Sequence, residues 1–312
     1  MMIRPYTPAD LDALVEMLNR AYAGFGMEAR TTPEILAHRI DVPLFEMTLM
    51  FDADGQMIAA SGCDYEPDQG AAVGDINLIP EARTPDVIHA LLAQIEAQAV
   101  ARLEALAPPD TPLHLTVFFK STADDILSAV AERGWTHVRS FYRMQTPLRD
   151  PVAVPPLPDG LTLRRFDRDR DTYAVYEANQ AAFAEHWGRA EISYDEWQHL
   201  ILNRPGDDNS MWLIAWDGDQ IAGFCLNRPG GTHIPDLAWV GSLGVLKPYR
   251  KRGLGYALLK HSFKLFQERG FARAGLGVDG SNETGAVGLY ERAGMSVYLQ
   301  FLYYRKVLRG TI

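Results

Sequence analysis

The sequence predicts an α/β protein built as two tandem copies of one unit, each a mixed sheet with helices on its faces. Three observations carry this. Strand-like runs alternate with segments whose apolar residues recur at helical spacing. Paired β-rich runs flank an Asp-Gly turn in both halves, in "LMFDADGQMIAASG" from Leu49 and "LIAWDGDQIAGFC" from Leu213. The features also repeat in order, with a register of about 160 residues. "IRPYTPADLDALVEMLNRAY" from Ile3 parallels "LTLRRFDRDRDTYAVYEANQAAF" from Leu161, and "ERGWTHVRSFYRM" from Glu132 parallels "ERAGMSVYLQFLYYRK" from Glu291.

Each half reads β-α-α-β-β-β-α-β-α-β-β. In the second half the first strand is Leu161–Arg165, and a polar turn leads to a helix over Asp171–Phe183. A second helix covers Tyr194–Asn203. The strands Trp212–Trp216 and Gln220–Leu226 enclose the Asp-Gly turn, and Ala238–Val245 follows as a buried strand. The helix Gly255–Arg269, the strand Ala272–Val278, the helix Glu283–Ala293 and the β-rich run Ser296–Leu308 complete the half.

Between the halves, Thr146 to Gly160 reads "TPLRDPVAVPPLPDG". Pro147, Pro151, Pro155, Pro156 and Pro158 remove backbone donors and fix φ, so neither helix nor central strand runs through. The expected organisation is a domain over 1–146, a stiff extended linker over 147–160 and a second domain over 161–312.

Composition narrows the classes of function. The chain has 312 residues, 47% hydrophobic and 22% charged, as in a globular protein. A formal net charge of −10 argues against a nucleic-acid partner and against an anionic membrane surface. No apolar run approaches a membrane helix, and "MMIRPYTPAD" lacks a secretory signal's apolar segment. Cys63 and Cys225 are the only two cysteines, without metal-ligand spacing, and point to inert packing in a reducing cytoplasm.

One stretch departs from this bland picture. "WVGSLGVLKPYRKRGLGYALL" from Trp239 sets a strand, a cationic loop with two glycines and a helix in succession. A helix N-terminus offers unpaired N–H groups and partial positive charge, glycines let backbone approach an anion, and the cations add charge-assisted bonds. Three phosphate motifs compete. The ATP-type G-x-x-x-x-G-K-[ST] is not matched, and the dinucleotide G-x-G-x-x-G fails because Leu258 stands at the third glycine. The third, R/Q-x-x-G-x-G/A, is met by Arg250, Gly253 and Gly255. That loop resembles the acetyl-CoA site of the GCN5-related N-acetyltransferase (GNAT) superfamily. A second match follows in "VDGSNETGAVGLYERAGM" from Val278, where Asn282, Ala286, Leu289, Tyr290, Glu291 and Gly294 fall at the family's spacing and Met295 takes a Phe place.

The resemblance implies two tandem GNAT-like domains, each a mixed, mostly antiparallel sheet with helices on both faces, laid out as in the mycothiol synthase type. It implies that Leu243, Gly244, Val245, Arg250, Lys251, Arg252, Gly253, Leu254, Gly255, Tyr256 and Asn282 hold acetyl-CoA, with no metal. Tyr290 would give a proton to the leaving thiolate, and a backbone N–H on Leu243–Val245 would stabilise the developing oxyanion. The implied reaction is acetyl transfer by direct attack of a small molecule's primary amine, in a cytoplasmic monomer or homodimer. Alternatives are an acyl-CoA-binding sensor without turnover, a mycothiol-synthase-like activity and an aminoacyl-transferase-like one.

The base is where the pattern departs. Ser242 occupies about the place where many relatives carry a carboxylate. Glu185 and Asp236 are the substitutes proposed, with His186 and His233 nearby in sequence. In the first half, "LIPEARTPDVIHALL" from Leu78 replaces the glycine loop. Asp86 there would repel phosphate, while Thr122 and Val130 fall near the places of Asn282 and Tyr290. The first half is therefore expected to be a degenerate scaffold copy and the second the catalytic one.

Overall fold

A computed structural model describes residues 1–28, 30–187, 191–230, 234–281 and 285–311. In chain order the strands and helices are β1 (Met2–Pro5), α1 (Leu11–Gly24), α2 (Pro33–Ile40), β2 (Phe45–Phe51), β3 (Met57–Glu66), β4 (Ala71–Leu78), α3 (Pro85–Leu106), β5 (Leu113–Lys120), α4 (Asp124–Glu132) and β6 (Thr136–Pro147). The series repeats as β7 (Leu161–Arg165), α5 (Arg168–Phe183), α6 (Tyr194–Trp197), β8 (Leu213–Asp217), β9 (Gln220–Pro229), β10 (Leu237–Val245), α7 (Leu254–Glu268), β11 (Arg273–Asp279), α8 (Ala286–Arg292) and β12 (Ser296–Arg309). The duplication and the mixed α/β architecture are as the sequence predicts. Each half ends in one long strand, however, not the two expected, because "SVYLQFLYYRKVLR" continues without a turn. Helix α5 starts at Arg168, earlier than Asp171, because the Asp167 carboxylate caps the N–H groups of Asp169 and Arg170.

The chain forms two compact units: Met1–Phe141 with Leu299–Ile312, and Tyr142–Tyr298. In the first, the strand order is β1-β2-β3-β4-β5-β12. Taken in the same sense, the second has β7-β8-β9-β10-β11-β6. The unit boundaries fall within β6 and β12, beside the 1–146, 147–160 and 161–312 division expected from the sequence.

That segment belongs to the second unit. The Gln267 amide donates to the Leu148 and Asp150 carbonyls and its oxygen accepts from Val152 N–H. His261 bonds the Pro155 backbone, and Arg252 donates to the Asp159 carbonyl at 3.1 Å. Prolines keep the strap extended, and these bonds hold it along α7 from its C-terminus to its N-terminus.

Successive residues of β9 show how the second unit is layered. Cys225 packs with Leu259, Phe263 and Phe266 of α7 and Tyr290 of α8. Phe224 and Leu226 pack with Val175 and Ala178 of α5 and Trp197 of α6. Strand side chains alternate between faces, so helices cover both. Ladders are antiparallel for β7·β8, β8·β9 and β9·β10, and parallel for β10·β11. The first unit matches, with β4·β5 parallel and β1·β2, β2·β3 and β3·β4 antiparallel. Cys63 and Cys225 are buried free thiols, and burial pushes both up to about 12, which leaves them inert as expected. Among the described residues no helix is long and apolar enough to cross a membrane.

Candidate active site

Strand β10 keeps its β9 partner to Val245 but loses its β11 partner part-way along. Its parallel ladder with β11 covers Leu237–Val240 against Arg273–Leu276, yet β10 continues to Val245 and β11 to Asp279. The register with β9 shifts between Val240 and Ser242, a bulge that re-aims the strand. Past Val240 the edge of β10 that faced β11 has no ladder partner, while Leu243–Val245 stay paired with β9 on the other edge.

The loop after β10 begins with a 3₁₀ turn over Lys247–Tyr249 and ends at Gly253, the N-cap of α7. Lys251 has φ 61 and Gly253 has φ 84, both left-handed, with Arg252 between them. Such alternation turns successive N–H groups toward one concavity, and the first N–H groups of α7 face the same end. A side chain at Gly253 would meet nothing within 4 Å, so the protein's own packing leaves this position open. At Gly255 a Cβ would come to 3.4 Å from Leu289 Cδ1 and 3.5 Å from Val245 Cγ2. The end of β10, the start of α7 and the middle of α8 therefore converge at Gly255. This convergence joins the two motifs that the sequence carries separately.

The other predicted contacts divide. Leu254 is buried beneath the loop with Tyr249, and Tyr256 packs in the α7–α8 core. Gly244 has an internal reason to be glycine, since a Cβ there would lie 2.3 Å from the Phe224 ring. Lys251 is exposed. The guanidinium of Arg252 donates to Asp159 O and lies 5.9 Å over the Tyr249 ring, whose hydroxyl donates to Asp217 at 3.1 Å. Arg250 is occupied within the protein: Nε donates to Val245 O at 3.0 Å, Nη2 to Ala182 O at 3.3 Å, and Nη1 lies 3.7 Å from Glu185.

Tyr290 stands on the inward face of α8, 9% exposed. Its hydroxyl has no hydrogen-bond partner among the described residues. Burial, with Cys225 nearby, pushes its ionisation well above the ordinary tyrosine range. Cys225 pairs in register with Leu243, so Tyr290 is drawn to the diverging end of β10. Asn282 and His233 lie outside the described residues.

The two proposed bases are both engaged in ion pairs. Lys247 reaches Glu185 at 2.8 Å and, with Arg250, holds its carboxyl below the usual range, which keeps it ionised and makes it a weaker base. Asp236 is gripped by both arms of Arg273, at 2.9 and 2.8 Å, and is likewise held low. It precedes β10 at the far end from the loop, about 30 Å from Val245 at 3.3 Å per residue. Phe224, which seats Gly244, escaped the sequence reading; the only hint was a glycine inside a strand.

In the first unit the corresponding region carries side-chain contacts in place of the glycine loop. The loop from the 3₁₀ turn at Pro80 to the α3 N-cap at Thr84 is two residues shorter than that from Lys247 to Gly253. Arg83 stacks 4.4 Å over Phe25 and forks onto Asp125 of α4, and Lys120 bonds the Phe25 carbonyl. Val130 is buried in the core.

Residues 172–295 match the family model described as "Acetyltransferase (GNAT) family". A "Mycothiol acetyltransferase" of Salinispora tropica is 30% identical over 260 residues, covering 81% of this chain and 79% of that protein. One from Thermobispora bispora is 26% identical over 305 residues, covering 96% and 97%. Among solved structures, a GCN5-related N-acetyltransferase from Sphaerobacter thermophilus superposes with TM-score 0.80 at 27% identity, covering 100% of this chain and 96% of that one. A tandem GNAT protein from the clavulanic acid biosynthesis pathway gives TM-score 0.75 at 17% identity, a likeness of fold, covering 100% and 99%.

Proposed function

Because the chain belongs to the acetyltransferase (GNAT) family, we propose that its second unit binds acetyl-CoA and transfers the acetyl group to a primary amine of a small molecule. The observation that carries this reading is the open position at Gly253, next to Gly255 where β10, α7 and α8 meet. The residues fit a pyrophosphate: left-handed backbone, helix N–H groups and nothing within 4 Å of a side chain's first carbon at Gly253. Backbone from Leu243 to Val245, released from β11, would hold the pantetheine arm and the carbonyl oxygen.

In the reaction the amine nitrogen bonds the thioester carbon, the carbon–sulfur bond breaks, and the sulfur leaves as a thiolate. Tyr290 is protonated throughout the neutral range. An ordinary thiol has a pKa near ~8.5, so full proton transfer from so weak an acid is uphill. The role that fits is a hydrogen bond to the departing sulfur, with water supplying the proton and taking the one the amine loses. Glu185 and Asp236 are not needed as bases in this scheme.

The acceptor is narrowed by relatives that span both halves and are named mycothiol acetyltransferases. On that ground the first acceptors to test are cysteinyl amino-sugar conjugates. Such acceptors carry a thiol, so product is followed by mass and not only by free-thiol release. Acetyl-CoA turnover with at least one primary amine is expected. Tight acetyl-CoA binding with no acetylated product across a broad amine panel would favour the sensor reading.

A further inference from the structure

Resting on that reading, we infer that Arg250 is a positioning residue. Its side chain staples the coenzyme loop to strand β10 and to the C-terminal end of helix α5, and it is not a ligand of the pyrophosphate.

Three features point to this. Its Nε donates 3.0 Å back to Val245 O, closing the five-residue loop that contains the 3₁₀ turn. Its Nη2 reaches 3.3 Å to Ala182 O in the last turn of α5. Its Nη1 lies 3.7 Å from Glu185, which Lys247 of the same loop also engages at 2.8 Å. A planar guanidinium presents donors in a fixed fork, so one group can meet two carbonyls and a carboxylate in three directions; a lysine ammonium is a single point on a flexible stem.

The stapled parts are those on which the reaction depends. Val245 borders the open seat at Gly255. Ala182 adjoins Phe183, whose ring stands 6.2 Å from Phe224, and Phe224 lies over Gly244. One guanidinium therefore ties both sides of the strand that would carry the thioester. Anion attraction falls to the backbone N–H groups with Lys251 and Arg252. Glu185 is a partner of the staple, consistent with its paired and ionised state.

The test uses the full chain as wild type, Arg250→Lys and Arg250→Met, with two donors. These are acetyl-CoA and S-acetylpantetheine, which keeps the thioester and arm but lacks pyrophosphate and nucleotide. The staple predicts that kcat/KM falls by about tenfold or more in both variants and with both donors, because the loss precedes any phosphate contact. It also predicts faster amide hydrogen exchange at 246–253 and 180–186 in both variants without ligand. A phosphate-ligand role predicts the opposite split: Arg250→Lys near wild type, Arg250→Met impaired with acetyl-CoA only, and exchange unchanged. That pattern overturns the inference. If wild type turns over neither donor, the proposed function fails, and the hydrogen-exchange comparison alone decides the staple.

Discussion

Gly253 and Gly270 form a matched pair for testing the coenzyme seat. Both are left-handed, at φ 84 and φ 83, one before α7 and one beyond its C-terminal end. At neither does an added Cβ meet anything within 4 Å. Alanine in this conformation costs roughly 1–2 kcal/mol wherever it stands. Gly253→Ala and Gly270→Ala should therefore lower the melting temperature alike, by about 2–4 °C per kcal/mol. They should differ in binding. The methyl at 253 projects into the space assigned to the pyrophosphate, so the acetyl-CoA Kd should rise at least about tenfold, or 1.4 kcal/mol. At 270, roughly 24 Å along the helix at 1.5 Å per residue, it should stay unchanged. Thermal melts and titration calorimetry measure the two effects separately. Wild-type affinity in folded Gly253→Ala, or an equal loss in Gly270→Ala, would refute the assignment.

At Gly255 the signs should oppose. Its Cβ would make only ordinary contacts, so Gly255→Ala should stabilise α7 by about 0.5–1 kcal/mol while weakening acetyl-CoA binding; stability and affinity rising together would count against the seat. Tyr290→Phe removes a hydroxyl with no partner among the described residues, so melting should hardly move while kcat and kcat/KM fall together by on the order of 10²-fold, as for loss of one stabilising hydrogen-bond donor; lower melting with normal kcat would make Tyr290 structural. Burial raises the Asp207 carboxyl to about 6. Between its ordinary value and pH 6 the unfolded chain is ionised and the folded one is not, so stability falls as pH rises through that window. Asp207→Asn should melt above wild type at pH 7.5, by on the order of 1 kcal/mol after discounting partial exposure, and close to it at pH 4. Asp236→Asn should leave kcat within about twofold, because its carboxylate is bound to Arg273 at the far end of β10; a collapse in rate would restore it as a base.

The sequence by itself determined the class, the duplication and the two motifs. These are written in local chemistry: the Asp-Gly hairpins, helical spacing, and the glycines and cations between Arg250 and Gly255 act within a few residues of one another. It also set Thr84, Pro85 and Asp86 where the second half has its glycine loop, which is why the first half is expected to be the degenerate copy. Tertiary structure decided what depends on distant partners. That Leu299–Ile312 joins the first unit is invisible in local pattern, because a strand's own sequence does not name its distant neighbours. The proline segment reads as a linker, since only Gln267, His261 and Arg252 across space make it a strap on α7. Asp236 and Glu185 are chemically able carboxylates in sequence, but Arg273 and Lys247 claim them in the fold. Arg250 appears in the motif as a charge for phosphate, and only the folded chain sets Val245, Ala182 and Glu185 around its guanidinium. A side chain's chemistry is local and legible, whereas its role depends on which groups the fold brings within hydrogen-bonding distance.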